Sequence, residues 1–147
     1  MKPFFEELFQ YNQHCNQQLA SIFEQERKKT DAKSVALFSH LLNAHHIWNS
    51  RILERKTDYG VWDNHAINAF AAIDRLNHEE TWGILAAFDL ANKITYQTTA
   101  GTPFVNTVRD TLFHVVNHAT YHRGQLALLF RQNGIEPLVS DYIRYKQ

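Results

Sequence analysis

Cysteine is nearly absent from this chain: Cys15 is the only one in 147 residues. No internal disulfide can form, so a reducing compartment such as the cytoplasm is expected. A lone thiol among helix-forming residues reads as a small packed side chain rather than a nucleophile. An excess of either charge is missing too. Fifteen basic and 15 acidic residues cancel to a formal net charge of zero, which argues against nucleic acid as a partner. No run of roughly 18 apolar residues occurs, so no membrane span is expected. The opening Met1-Lys-Pro-Phe-Phe-Glu-Glu7 enters an amphipathic pattern with no apolar signal core. No repeat, low-complexity stretch or linker divides the sequence, and its length suits one domain over residues 1–147. What the chain has in excess is histidine, nine in all.

Apolar spacing predicts four long helices. The first runs from about Pro3 to Arg27, with Phe5, Leu8, Phe9, Tyr11, Leu19, Ile22 and Phe23 facing inward. Residues 27–33 are charged and read as a solvated link. The second spans Ser34 to about Glu54 and is apolar over more than one face, which suggests a central position. A turn around Gly60 follows. The third runs from about His65 to Phe88, with Ile67, Phe70, Ile73, Leu76, Trp82, Ile84, Leu85 and Phe88 as core candidates. Lys93 to Val105 is rich in β-branched and aromatic residues around Gly101. It reads as a short extended excursion, a loose hairpin lying across the helices. Asn106 or Thr107 caps the fourth helix, which runs to about Gln132 and stops at Asn133-Gly134. Ile135 to Tyr145 is apolar enough to dock on the domain. The fold class is therefore all-α, a four-helix bundle, an architecture that builds metal sites from facing helices.

The fourth helix carries His114, His118 and His122 at steps of four. Residues four apart lie on one helix face, so two such imidazoles can bind one metal ion. Ala119 stands where the zincin motif has its glutamate, which disfavours a metalloprotease. Taken alone, any one histidine is more often structural or solvated. The pair His118/His122 differs, because two buried imidazoles without partners leave nitrogens unsatisfied at roughly 1–3 kcal/mol each. His114 reads as a packing residue behind the ligands, since three collinear imidazoles span about 12 Å along the axis. The missing ligand has to come from another helix, and the second helix offers His40, His45 and His46.

The text His114-Val-Val-Asn-His-Ala-Thr-Tyr-His-Arg-Gly-Gln125 resembles the signature of the DinB (damage-inducible) family of bacterial proteins. The resemblance continues through Ile94-Thr-Tyr-Gln, Gly101-Thr-Pro-Phe, Gln132-Asn-Gly-Ile-Glu-Pro-Leu, Asp141-Tyr-Ile and His40-Leu-Leu-Asn-Ala-His-His-Ile-Trp-Asn-Ser-Arg51. It implies an up-down-down-up bundle, usually a homodimer, holding a divalent metal on three histidines. His118 and His122 match the two fourth-helix ligands. The family's second-helix ligand stands eight residues before the aromatic position held here by Trp48, which selects His40. His40 also shares a helix face with Ala44, Ile47 and Arg51. His45 and His46 stay as alternatives, with a second reading of both as partly exposed.

Around these ligands, Trp48 and Tyr121 are candidates for the wall of a substrate pocket, though aromatics at helical spacing are more often core. Arg123 reads as a helix cover or as a partner for a carboxylate such as Asp141, and Gln125 as a cap on a neighbouring backbone group. Gly124 suggests close approach of another backbone. Imidazole ligands suit zinc, nickel, copper or iron alike. Better characterised relatives of the family include enzymes that transfer low-molecular-weight thiols such as bacillithiol or mycothiol, and related metal-dependent hydrolases and isomerases. The resemblance therefore implies a metal-dependent thiol S-transferase acting on small molecules. A metal-binding stress-response protein without turnover is the competing reading. DNA binding, suggested by the family's name, has no support in the charge balance.

Overall fold

The computed structural model describes residues 1–147. It is mostly helical, with helices α1 (Lys2–Gln25), α2 (Ala32–Ile52), α3 (Phe70–Ala87), α4 (Val108–Gln132) and the short α5 (Tyr142–Tyr145), and strands β1 (Lys93–Gln97) and β2 (Pro103–Thr107). Each long helix begins where local chemistry favours it. Pro3 occupies the first turn of α1. The Asp31 carboxylate accepts the Ser34 N–H at 2.9 Å to cap α2, two residues earlier than the apolar spacing suggests. Thr107 caps α4 by accepting the Asp110 N–H at 3.0 Å, and Asp110 adds a favourable charge in that first turn.

The third helix starts later than the sequence indicates. Residues 65–66 stay extended, Ile67–Ala69 form a 3₁₀ turn, and α3 begins at Phe70. The His65 N–H donates to Ser39 Oγ at 3.1 Å and its Nε2 meets Asn43 Oδ1 at 2.5 Å, so side chains of α2 hold this stretch out of the helix. Leu76 and Trp82 are also not core: they are 58% and 39% exposed, because α3 turns its Phe70, Ile73, Asn77, Thr81 and Ile84 face inward. The excursion is a regular antiparallel hairpin with Ile94 opposite Asn106. Ile94 alone among its strand residues is buried, and it anchors the hairpin to the core.

Helix α2 packs on α3 and α4, and α1 packs on α3 and α4. The interior divides into two apolar clusters. One gathers Phe23, Phe38, Phe70 and Phe130 with Leu19, Leu42, Leu126 and the tail residue Ile135. The other gathers Phe5, Phe9, Ile52, Ile84, Leu112 and Val115. Along α1, α2 and α3 a polar stretch separates the two: Asn12 and Asn16, His45 and Asn49, then Asp74, Asn77, His78 and Thr81, all buried. Most of these groups find partners in one another, while Asn12 Nδ2 and His45 Nδ1 have none. Asn16 Nδ2 donates to Asp74 Oδ1 at 2.9 Å, Gln17 Nε2 to Asp74 Oδ2 at 2.8 Å, and Asn77 Nδ2 to the Leu42 carbonyl at 3.1 Å. The tail docks through the Tyr11 hydroxyl on the Ser140 carbonyl and the Tyr142 hydroxyl on Glu7.

Candidate metal centre

Helices α2 and α4 bring His40, His118 and His122 together, with one ring nitrogen from each inside a 4.8 Å sphere of mutual distance. His118 Nε2 lies 3.2 Å from His40 Nε2 and 3.0 Å from His122 Nε2. The far nitrogens of the two outer rings are spoken for. His40 Nδ1 is 3.0 Å from the Val61 carbonyl oxygen, and His122 Nδ1 is 2.7 Å from Gln125 Oε1. Both oxygens only accept, so each Nδ1 carries the proton and each Nε2 turns a lone pair inward. A single proton on His118 Nε2 can serve one of these lone pairs and leaves the other facing its neighbour. Bonds of about 2.0–2.1 Å to one tetrahedral ion put imidazole nitrogens roughly 3.3 Å apart, close to the spacing seen here. The donor set thus fits a divalent cation.

Burial, followed by the neighbouring imidazoles of His122, His40 and His114, pushes the His118 pKa down to about 3. Burial also lowers that of His40, opposed by its bond to the Val61 backbone. His118 is therefore neutral at pH 7, the form that a metal needs.

The other sequence candidates are distributed around this triad. His114 is exposed and outside it, its ring centroid 5.6 Å from that of His118. Trp48 is half-buried against Tyr96 and His114 rather than beside the triad. Tyr121 is 65% exposed, its ring 5.1 Å from that of His122. Gln125 caps no backbone group; it orients His122. Arg123 does not pair with Asp141. It is 3% exposed and turns into the core, where Nη1 donates to Asn12 Oδ1 at 2.7 Å and Asn16 Oδ1 at 3.2 Å. Gly124 meets no neighbouring backbone, since an added Cβ has nothing within 4 Å, and α4 is exposed at this position.

His45 and His46 are buried, not partly exposed, and neither joins the triad. His45 Nε2 pairs with Thr81 Oγ1 at 2.8 Å inside the polar layer. His46 Nε2 accepts the Asp58 N–H at 3.0 Å and so ties the segment between α2 and α3 to α2. Asn43 adds to that tie by donating to the Asp63 carbonyl at 2.8 Å. The segment delivers two groups that helical spacing does not reveal. The Val61 carbonyl holds His40, and the Trp62 ring stacks on His40 at 4.0 Å with a 13° tilt.

Comparison with known proteins agrees with the residues. The DinB family profile matches residues 1–147. The chain is also 49% identical over 39 residues to Protein DinB of Bacillus subtilis (strain 168), a match spanning 26% of this chain and 23% of that protein. The profile match runs over the entire sequence, and on that ground the chain belongs to the DinB family.

Proposed function

We propose that the chain holds one divalent metal ion on His40, His118 and His122 and serves as a metal-dependent enzyme of the thiol S-transferase type on small molecules. The observation that carries this reading is the inward convergence of three Nε2 atoms, two of them with the tautomer fixed from behind. An ion on three neutral imidazoles keeps open positions and, as a Lewis acid, lowers the pKa of a water or thiol. The chain's own residues do the rest. Trp62 covers the outer face of His40 and is 63% exposed, so with Tyr121 it flanks the approach from solvent. Both aromatic surfaces suit an apolar electrophile.

Up-down-down-up topology is part of the same reading. Residues of the Phe5–Ile84 cluster precede those of the Phe23–Phe70 cluster along α1 and α4 and follow them along α2 and α3. That order supports α1 and α4 running one way and α2 and α3 the other. Homodimerisation is supported by Phe4 and Phe113, 55% and 53% exposed on the walls of one groove between α1 and α4. No helix is long and apolar enough to cross a membrane, in keeping with the cytoplasmic location proposed for it.

The test is conjugation of a low-molecular-weight thiol to a generic electrophile by metal-loaded protein, metal-stripped protein and His122→Ala. Turnover by the loaded wild type alone is expected. Turnover that survives stripping or the substitution contradicts the catalytic reading. Stoichiometric metal with no turnover favours a metal-binding stress-response protein instead.

A further inference from the structure

We infer that Arg51 forms an oxyanion subsite for the same ligand that reaches the histidine triad, so that the substrate is a thiol bearing an acidic group. This rests on the metal reading above. The guanidinium carbon of Arg51 lies 4.2 Å from the centre of the Trp48 ring and 4.7 Å from that of Tyr96. Those two rings are themselves only 5.0 Å apart and 84° from parallel, so both meet the guanidinium from one side and leave N–H donors on its other side for a planar or tetrahedral oxyanion. No carboxylate pairs with these donors. Arg27, Arg55 and Arg109 form ion pairs and Arg123 bonds to buried asparagines, whereas Arg51 has neither. Arg75, Arg131 and Arg144 lack carboxylate partners too, but they are exposed, while Arg51 is half-buried and held. A half-buried arginine without a counter-ion is a ready partner for an anionic ligand.

Position links this group to the triad. From His118 to His114, from His114 to Trp48, and from Trp48 to Arg51 the steps are 5.6, 5.0 and 4.2 Å. These residues line the seam between α2 and α4, and His114 is exposed along it. Along α2, Arg51 stands about three helical turns, roughly 16 Å, beyond His40, and the three steps hold it within about 15 Å of His118. A ligand of that span places its sulfur at the triad and its acid on Arg51, with His114 and Trp48 beneath its middle.

Two matched pairs of probes test this: glutathione against its diethyl ester, and 4′-phosphopantetheine against pantetheine. Each pair keeps the thiol and removes the anion, one as carboxylate and the other as phosphate. Binding is measured by calorimetry on zinc-loaded wild type, Arg51→Gln, Arg51→Lys and His122→Ala, with metal content checked for each. At least one acid should bind wild type about tenfold more tightly than its uncharged counterpart. That preference should vanish in Arg51→Gln and survive in part in Arg51→Lys, with metal content unchanged in both. Absence of a preference in wild type, or its persistence in Arg51→Gln, overturns the subsite. If His122→Ala keeps its zinc yet the acid preference still depends on Arg51, the subsite stands and the triad reading fails.

Discussion

At the scale of single residues, the geometry of the triad depends on atoms outside it. Gln125 Oε1 and the Val61 carbonyl decide which nitrogen of His122 and His40 is protonated, and so which lone pair is free. Gln125→Ala removes one of these acceptors while leaving all three imidazoles in place. Metal affinity is expected to fall about 10- to 100-fold, as read by competition with a chromogenic chelator, and Gln125→Glu should retain more of it. Trp62→Ala strips the outer face of His40 and should weaken metal binding by about tenfold without loss of helix content. Spacing alone placed His118 and His122 on one face, because a four-residue step is a property of the helix itself. Selecting His40 over His45 and His46 needed the family register. Trp62 and Val61 could not be read at all, since a segment between helices finds its contacts only once it folds back.

At the scale of elements, α1, α3 and α4 are joined through polar groups as well as apolar ones. Arg123 of α4 reaches Asn12 and Asn16 of α1, and Asn16 in turn reaches Asp74 of α3. Arg123→Ala leaves buried oxygens without donors and removes a positive charge near Asp74. It should cost about 3 kcal/mol in urea unfolding. Arg123→Lys should recover little of that, because one ammonium cannot reproduce the planar fork. A loss below about 1 kcal/mol would contradict this role. Helix positions were readable because apolar periodicity and caps are local. The start of α3 was not, since Ser39 and Asn43 hold His65 from a different helix. The burial of His45, His46 and Arg123 was equally hidden, because polar residues read as surface until their partners are known.

At the scale of the whole molecule, histidine ties stability to pH. Burial is the leading cause that lowers the pKa of His40, His45, His46, His65, His114 and His118 below the ordinary value of 6.5. The folded chain then binds fewer protons than the unfolded one, so stability is full above about pH 6.5 and falls as the pH drops below it. The wholly buried His45 alone should contribute a loss on the order of 1 kcal/mol by pH 5.5. Asp74 has the opposite sign. Its pKa is raised from 3.8, chiefly by burial, so its contribution is fully present below that value and is lost as pH rises through the folded value. Urea midpoints of metal-free protein at pH 7.5 and 5.5 should show the lower value in acid. Equal midpoints, or a higher one in acid, would mean that these imidazoles titrate in the folded state as they do in water.

The most direct test concerns the ligands themselves. Zinc binding is measured by calorimetry and elemental analysis on wild type and on His40→Ala, His118→Ala, His122→Ala, His45→Gln and His46→Gln, with helix content followed by circular dichroism. One ion per wild-type chain is expected, lost in the first three variants and kept in folded His45→Gln and His46→Gln. Less than about a tenth of an equivalent in the supplemented wild type, or full occupancy in His40→Ala, would contradict a metal centre built from α2 and α4.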